Sequence, residues 1–232
     1  MTAQREKRPD DCCMPRTAAV EDYLRVIFKL EGRGAPVTTS GLAAQLEVAP
    51  PTVSAMLKRL ESGGLVVRTP GHRARLTRHG EQHAVEVTRR HRLVETFLAQ
   101  VLGLSWDEVH AEADALEHAI SQRIEDRIDA VLGHPERDPH GDPIPPRSGP
   151  HVERWNSPLT DIPPNHTFRV ERVADDDSEA LRFLAERGIR PGVVLEVLSR
   201  EPFGGPLWVE VAGDRHPLGP VLTDAVHGEV VR

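Results

Sequence analysis

The chain is poor in several things at once, and each shortage excludes something. Two of its 232 residues are cysteine, adjacent at Cys12 and Cys13 in a polar stretch, which is no disulfide framework. Aromatic residues make up only 4% and the mean hydropathy is −0.40, so a soluble, helix-leaning protein is expected. No apolar run approaches the roughly 20 residues that cross a bilayer, and the opening MTAQREKRPDDCCMPR has no signal-peptide apolar core. A cytoplasmic protein with no membrane partner is expected. No HExxH-type motif or separate general-base candidate stands out either, which argues against a metallohydrolase.

What is present is length for more than one domain and an uneven charge. The net charge is −7, yet residues 1–80 carry +5 and the remainder −12. A basic N-terminal part on an acidic protein suits a DNA-facing module joined to something else.

Residues 1–16 read as a flexible tail. From there Val20, Tyr23, Leu24, Ile27 and Leu30 recur at helical spacing, with Thr17 as N-cap, and Asp22 lies off that apolar face. Residues 37–66 predict a short helix around Leu42–Leu46, a tight turn, and a second helix opening at Pro50-Pro51 with Val53, Met56, Leu57 and Leu60 inward. Leu65–Arg68, a PGH turn and Arg73–Thr77 then predict a β-hairpin. Together these make a winged helix-turn-helix over residues 17–77. Pro51, Thr52, Ser54 and Ala55 would lie near base edges, and Lys58, Arg59, Arg73 and Arg75 would meet phosphates.

A second long helix is predicted from Thr77 to about Leu102, with His91 among its apolar neighbours and Glu95 one turn on. The stretch Trp106–Gly133 predicts a further long amphipathic helix, its seam running through Val109, Ala113, Leu116, Ile120, Ile124, Ile128 and Leu132. Beside that seam stand His110, Asp114, Glu117 and His118. They read either as a solvated face or, with His91 and Glu95 nearby, as metal ligands. The apolar surface of these helices exceeds what one small domain covers, so an isologous homodimer on a palindromic double-stranded DNA site is expected. A Pro-rich linker over residues 147–165 leads to residues 166–232, where short β-like runs (Thr167–Val173, Val193–Leu198, Leu207–Val211 and Gly228–Val231) surround a helix near Ser178–Arg187. That pattern fits a small β-barrel. His72, His79, His83, His134 and His140 read as surface or loop histidines, and Cys12 and Cys13 stay unassigned.

The runs EDYLRVIFKLE, APPTVSAMLKRLE, RRHRLVETFL, WDEVHAEADALEHAIS and DPHGDPIP, in order over residues 21–146, resemble the diphtheria toxin repressor family of metal-dependent transcriptional repressors. The resemblance implies a mainly α chain: a winged helix-turn-helix, a helical dimerisation and metal-binding domain over residues 78–146, and an SH3-like domain. It implies a primary metal site at Asp22, Asp114, Glu117 and His118. It also implies an ancillary site at His91, Glu95, His110 and an acid of the SH3-like domain, for which Asp177 is the best match. Two ions per subunit follow. Carboxylates stand where iron-responsive members carry sulfur, as in the manganese-responsive subgroup, so Mn²⁺ is expected and Fe²⁺ is the alternative. An enzyme, or an interaction module keeping its DNA-binding helix only as scaffold, are the competing classes. Ala49 and Ala55 flank the recognition-helix proline where the family has polar residues, and Glu47 stands where a glycine is common.

Overall fold

The computed structural model describes residues 14–69, 71, 73–149, 151 and 155–231. Most of the expected tail, including Cys12 and Cys13, lies outside the described residues, as do Pro70 and His72 of the hairpin turn. The chain divides into two compact units, one of residues up to His91 with the segment beginning at Pro145, the other of Arg92–Ile144 and Trp155 onward.

In the first unit, helix α1 (Ala18–Gly32) starts where Thr17 Oγ1 accepts from Val20 N. Helix α2 (Thr39–Gln45) is capped in the same way by Thr38, which accepts from Gly41 N at 3.0 Å. Helix α3 (Pro50–Ser62) opens with proline in its first turn, where the missing N–H costs nothing. Glu47, in the turn between α2 and α3, sits at φ +52°, a left-handed conformation that glycine adopts without strain. Strands β1 (Val66–Thr69) and β2 (Arg73–Leu76) pair antiparallel, Val66 opposite Leu76. Leu24, Ile27, Leu42, Val53, Leu57, Leu60 and Leu65 form one core beneath this winged helix-turn-helix.

Helix α4 (Arg78–Gln100) runs unbroken through both units. Its start is pressed against the hairpin: a Cβ on Gly80 would lie 1.9 Å from the Leu65 carbonyl oxygen.

The second unit departs from the expected helix pattern. Trp106–Gly133 is not one helix: helix α5 (Val109–Leu116) passes into a 3-10 turn (Glu117–Ala119), and helix α6 (Gln122–Val131) begins anew. Ile120 is extended at ψ 122°, and the Ser121 side chain accepts from Ile124 N, capping α6. The serine offers the backbone a local partner that ends one helix and starts the next, while the apolar repeat continues across the break and hides it. Val109 and Ala113 are buried, whereas Leu116, Ile124 and Val131 are exposed.

The C-terminal part is an antiparallel six-stranded sheet in the order β3-β8-β4-β5-β6-β7. Its strands are β3 (Ser157–Pro158), β4 (His166–Val173), β5 (Val194–Arg200), β6 (Leu207–Val211), β7 (Asp214–Leu218) and β8 (Val226–Val231), with helices α7 (Ser178–Glu186) and α8 (Pro220–Ala225). β4, β5, β6, β8 and α7 match the expected runs. β7, DRHPL, was not anticipated because it is a polar edge strand containing proline, tolerated only where one side of the ladder is unpaired. The end of the expected linker is structured: Ser157 and Pro158 pair with β8, and Leu159 and Ile162 are buried in the sheet's core.

Candidate metal centre and nucleic-acid interface

On α3, helical spacing sends Val53, Leu57 and Leu60 inward and leaves Pro51, Thr52, Ser54, Ala55, Lys58 and Arg59 exposed. Arg73 and Arg75 are exposed on β2, with Arg75 Nε 3.5 Å from Glu31 Oε1. This outward face carries cations, hydroxyls and methyl groups, the chemistry that meets phosphates and base edges in a major groove.

In the second unit, the ionisable groups converge on Glu95, which is fully buried on α4. Glu95 Oε1 lies 3.0 Å from His110 Nδ1, and His110 Nδ1 lies 3.1 Å from Asp175 Oδ2 at the end of β4. The ligand atoms that Glu95, His110 and Asp175 offer all lie within 4.8 Å of one another. Burial opposes a charge on His110, but Asp175 and Glu95 outweigh it and push its pKa up to about 10. His91 stands one helical turn before Glu95 on α4, is buried, and has its Nε2 3.3 Å from Arg25 Nη1.

The acid of the sheet domain that stands beside His110 is Asp175, two residues before the expected Asp177. The Asp177 carboxylate is spent as the N-cap of α7, accepting from Glu179 N at 2.9 Å and Ala180 N at 3.1 Å. Two acids in one DDD run differ only in what the backbone does after β4, which local sequence does not reveal.

His140 also departs from the sequence reading. It is no surface histidine: the ring is fully buried, Nε2 donates to the Trp106 carbonyl at 2.6 Å, and Nδ1 lies 3.8 Å from Glu95 Oε2. Burial disfavours its charge, yet Glu95, Asp138 and Asp175 push its pKa up to about 10. The Asp138–Asp142 turn that carries it is held from within, Asp138 Oδ1 accepting from His140 N and Asp142 N at 2.9 Å each. Arg92 donates to Asp142 Oδ2 at 3.0 Å and to the Pro143 carbonyl at 2.7 Å, and Arg172 pairs with Asp142 from β4. His140 O accepts from Val173 N at 2.9 Å. DPHGDPIP was legible as a motif, but its role as a bracket between α4 and β4 was not. His83 is also buried rather than superficial, and His79 packs edge-on against it at 4.6 Å between ring centres. His134 is exposed beside Asp129.

Glu117, in the 3-10 turn after α5, is fully buried, with His118 Nε2 3.5 Å from its Oε1. Ligand atoms of Asp114 and Glu117 lie within 4.8 Å of each other. The break after Glu117–Ala119 thus shapes this group. Asp22 is half-buried on α1 of the first unit.

Both groups offer oxygen and nitrogen donors only, around the buried carboxylates of Glu95 and Glu117, a set that fits a hard or borderline divalent cation.

Comparison with known proteins agrees with this geometry. Residues 16–73 match the model of the iron dependent repressor N-terminal DNA binding domain. Residues 77–146 match the iron dependent repressor metal binding and dimerisation domain, and residues 157–230 the FeoA domain. The iron-dependent repressor IdeR of Mycobacterium leprae is 37% identical over 225 residues, covering 91% of this chain and 96% of that protein. The diphtheria toxin repressor of Corynebacterium efficiens is 32% identical over 191 residues, 78% and 83% of the two chains. A solved manganese-dependent transcriptional repressor in complex with manganese superposes with a TM-score of 0.86 at 38% identity, over 91% of this chain and all of that one. The manganese regulator SloR superposes with a TM-score of 0.80 at 30% identity, over 94% of this chain and all of that one. These relatives are transcriptional repressors and not enzymes. With family-model matches over residues 16–73 and 77–146 and relatives 37% and 32% identical over most of both chains, the chain belongs to the diphtheria toxin repressor family of metal-dependent, DNA-binding transcriptional repressors.

Proposed function

We propose that the protein is a Mn²⁺-activated repressor of metal-uptake genes, acting in the cytoplasm as a homodimer on a palindromic operator and holding two ions per subunit. The observation that carries the choice of Mn²⁺ is the all-oxygen-and-nitrogen donor set: Glu117 beside Asp114 and beside His118, and Glu95 with His110 and Asp175. Mn²⁺ stands lowest in the order of intrinsic affinities, so a protein must favour it by hard ligands and geometry. The likeness to solved manganese-dependent repressors supports the same reading.

In this proposal Asp22 joins Asp114, Glu117 and His118 in the primary site, and His91 joins Glu95, His110 and Asp175 in the ancillary one. The bound cation supplies positive charge and a coordination centre to each. Asp22 rides on α1 of the DNA-binding domain, so neutralising the acids removes a repulsion between domains and ties α1 to the dimer domain. The two recognition helices are then held at the spacing of successive major grooves. Metal and DNA favour the same state, and each raises affinity for the other by the same factor.

Fluorescence anisotropy with a promoter fragment, at fixed salt and buffered free metal, tests this. Full activation by Mn²⁺ and weak activation by anaerobic Fe²⁺ is the expected result. Equal or stronger activation by Fe²⁺ establishes the second reading, an iron-dependent repressor, which the name of the relative from Mycobacterium leprae favours. Undiminished, Mn²⁺-dependent operator binding by Asp22→Ala overturns the role given to α1.

A further inference from the structure

Arg25 lies on α1, three residues after Asp22, and is only 9% exposed. Its Nη1 is 3.3 Å from Nε2 of His91 on α4, itself 3% exposed. A guanidinium carries donors only and stays protonated, so Nη1 donates in this contact and Nε2 accepts. A neutral imidazole has one ring lone pair with which to accept a hydrogen bond or ligate a metal. With that pair committed to Arg25, the ring proton sits on Nδ1 and neither nitrogen is left to ligate.

We propose that Arg25 competes with the cation for His91, so that the α1–α4 clasp and a metal-ligating His91 exclude one another. The proposal rests on His91 being a ligand, as put forward above. It makes Arg25 a determinant of metal affinity and of the threshold at which the protein responds. Filling the site requires a charged donor to leave a buried acceptor, and the positive guanidinium then stands beside a positive ion. Weakly held cations such as Mn²⁺ are penalised to the point of selecting a higher working concentration. The same event is felt at the DNA-binding domain, because the freed side chain belongs to α1, next to Asp22. Arg25 therefore serves as a positioning residue: it acts on the metal through the lone pair of His91.

The test uses the full chain and Mn²⁺ alone, with free concentration set by a chelator and binding read by equilibrium dialysis. Arg25→Met keeps the apolar stem and removes the donor. It is expected to bind Mn²⁺ about tenfold more tightly, the scale of one charge-assisted hydrogen bond. His91→Gln is expected to bind more weakly, and the double variant no more tightly than His91→Gln. A wild-type affinity in Arg25→Met, with His91→Gln still weakened, overturns the proposal and leaves His91 a ligand. An unchanged affinity in His91→Gln overturns the ligand reading beneath it. Nitrogen-15 spectra of histidine-labelled, metal-free wild-type protein decide the matter even if Arg25→Met does not fold. His91 is expected as the Nδ1–H tautomer with Nε2 accepting, and an Nε2–H tautomer or an imidazolium overturns the proposal.

Discussion

Single atoms separate neighbouring acids into different jobs. Asp175 faces His110 at 3.1 Å, whereas Asp177 caps α7 two residues later. Asp177→Ala is therefore expected to cost about 1 kcal/mol of stability, the usual loss of an N-cap, and to leave Mn²⁺ affinity unchanged. Asp175→Ala is expected to weaken Mn²⁺ binding at least tenfold with a smaller change in melting temperature. Calorimetric titration beside thermal melts distinguishes the two. His110, its pKa pushed up to about 10 by Asp175 and Glu95 against the opposing pull of burial, holds a proton near neutrality that a cation must replace. Mn²⁺ binding at pH 7 should release protons, seen as a heat that depends on buffer ionisation enthalpy, and should weaken on acidification. The sign for the metal-free fold is the reverse. A histidine whose pKa rises on folding contributes its stability fully below about 6.5 and loses it as pH climbs toward 10.

At the scale of elements, the Asp138–Asp142 turn and helix α4 carry the arrangement. Gly141 sits at φ +88°, and a Cβ there would fall 1.9 Å from the Glu171 carbonyl oxygen of β4. Gly141→Ala is expected to destabilise the second unit by more than about 2 kcal/mol, through strain and overpacking together, and to weaken metal binding because His140 and Asp175 lose their common support. Chemical denaturation and metal titration of the same variant check both effects. At its other end α4 holds His83, buried and pushed down to about 4 by burial first, then by Arg16 and His79. Here the folded state binds its proton less readily than the unfolded chain. Stability is intact above about 6.5 and is lost as pH falls from there toward 4. A pH series of melts should show this acid loss, and His83→Leu should flatten it.

For the molecule as a whole, the proposed mechanism makes DNA affinity and metal occupancy two readouts of one equilibrium. Phosphate contacts set the salt dependence of operator binding, so Lys58→Ala should lower the slope of log affinity against log salt by about 1 per subunit at every sequence tested. Its Mn²⁺ requirement should be unaltered, since Lys58 is exposed on the outer face of α3, far in sequence from every proposed ligand. Anisotropy at several salt concentrations, with and without Mn²⁺, separates loss of phosphate contact from loss of coupling.

Much of this was written in local patterns. The 3.6-residue repeat of Val20, Leu24 and Ile27, the threonine cap at Thr17, and Pro50-Pro51 act over a few residues, so the winged helix-turn-helix was legible in the sequence. The helical spacing that groups His110, Asp114, Glu117 and His118 was legible for the same reason. Tertiary structure alone decided what depends on partners distant in the chain. Asp175 rather than Asp177 meets His110 because β4 delivers it there, and His140 is buried because α4 and β4 close over its turn. Arg25 finds His91 across 66 residues of chain, a pairing that no local periodicity encodes. The break at Ile120 and Ser121 belongs to the same class, since an apolar repeat reports which face is buried and not whether the backbone that carries it is continuous.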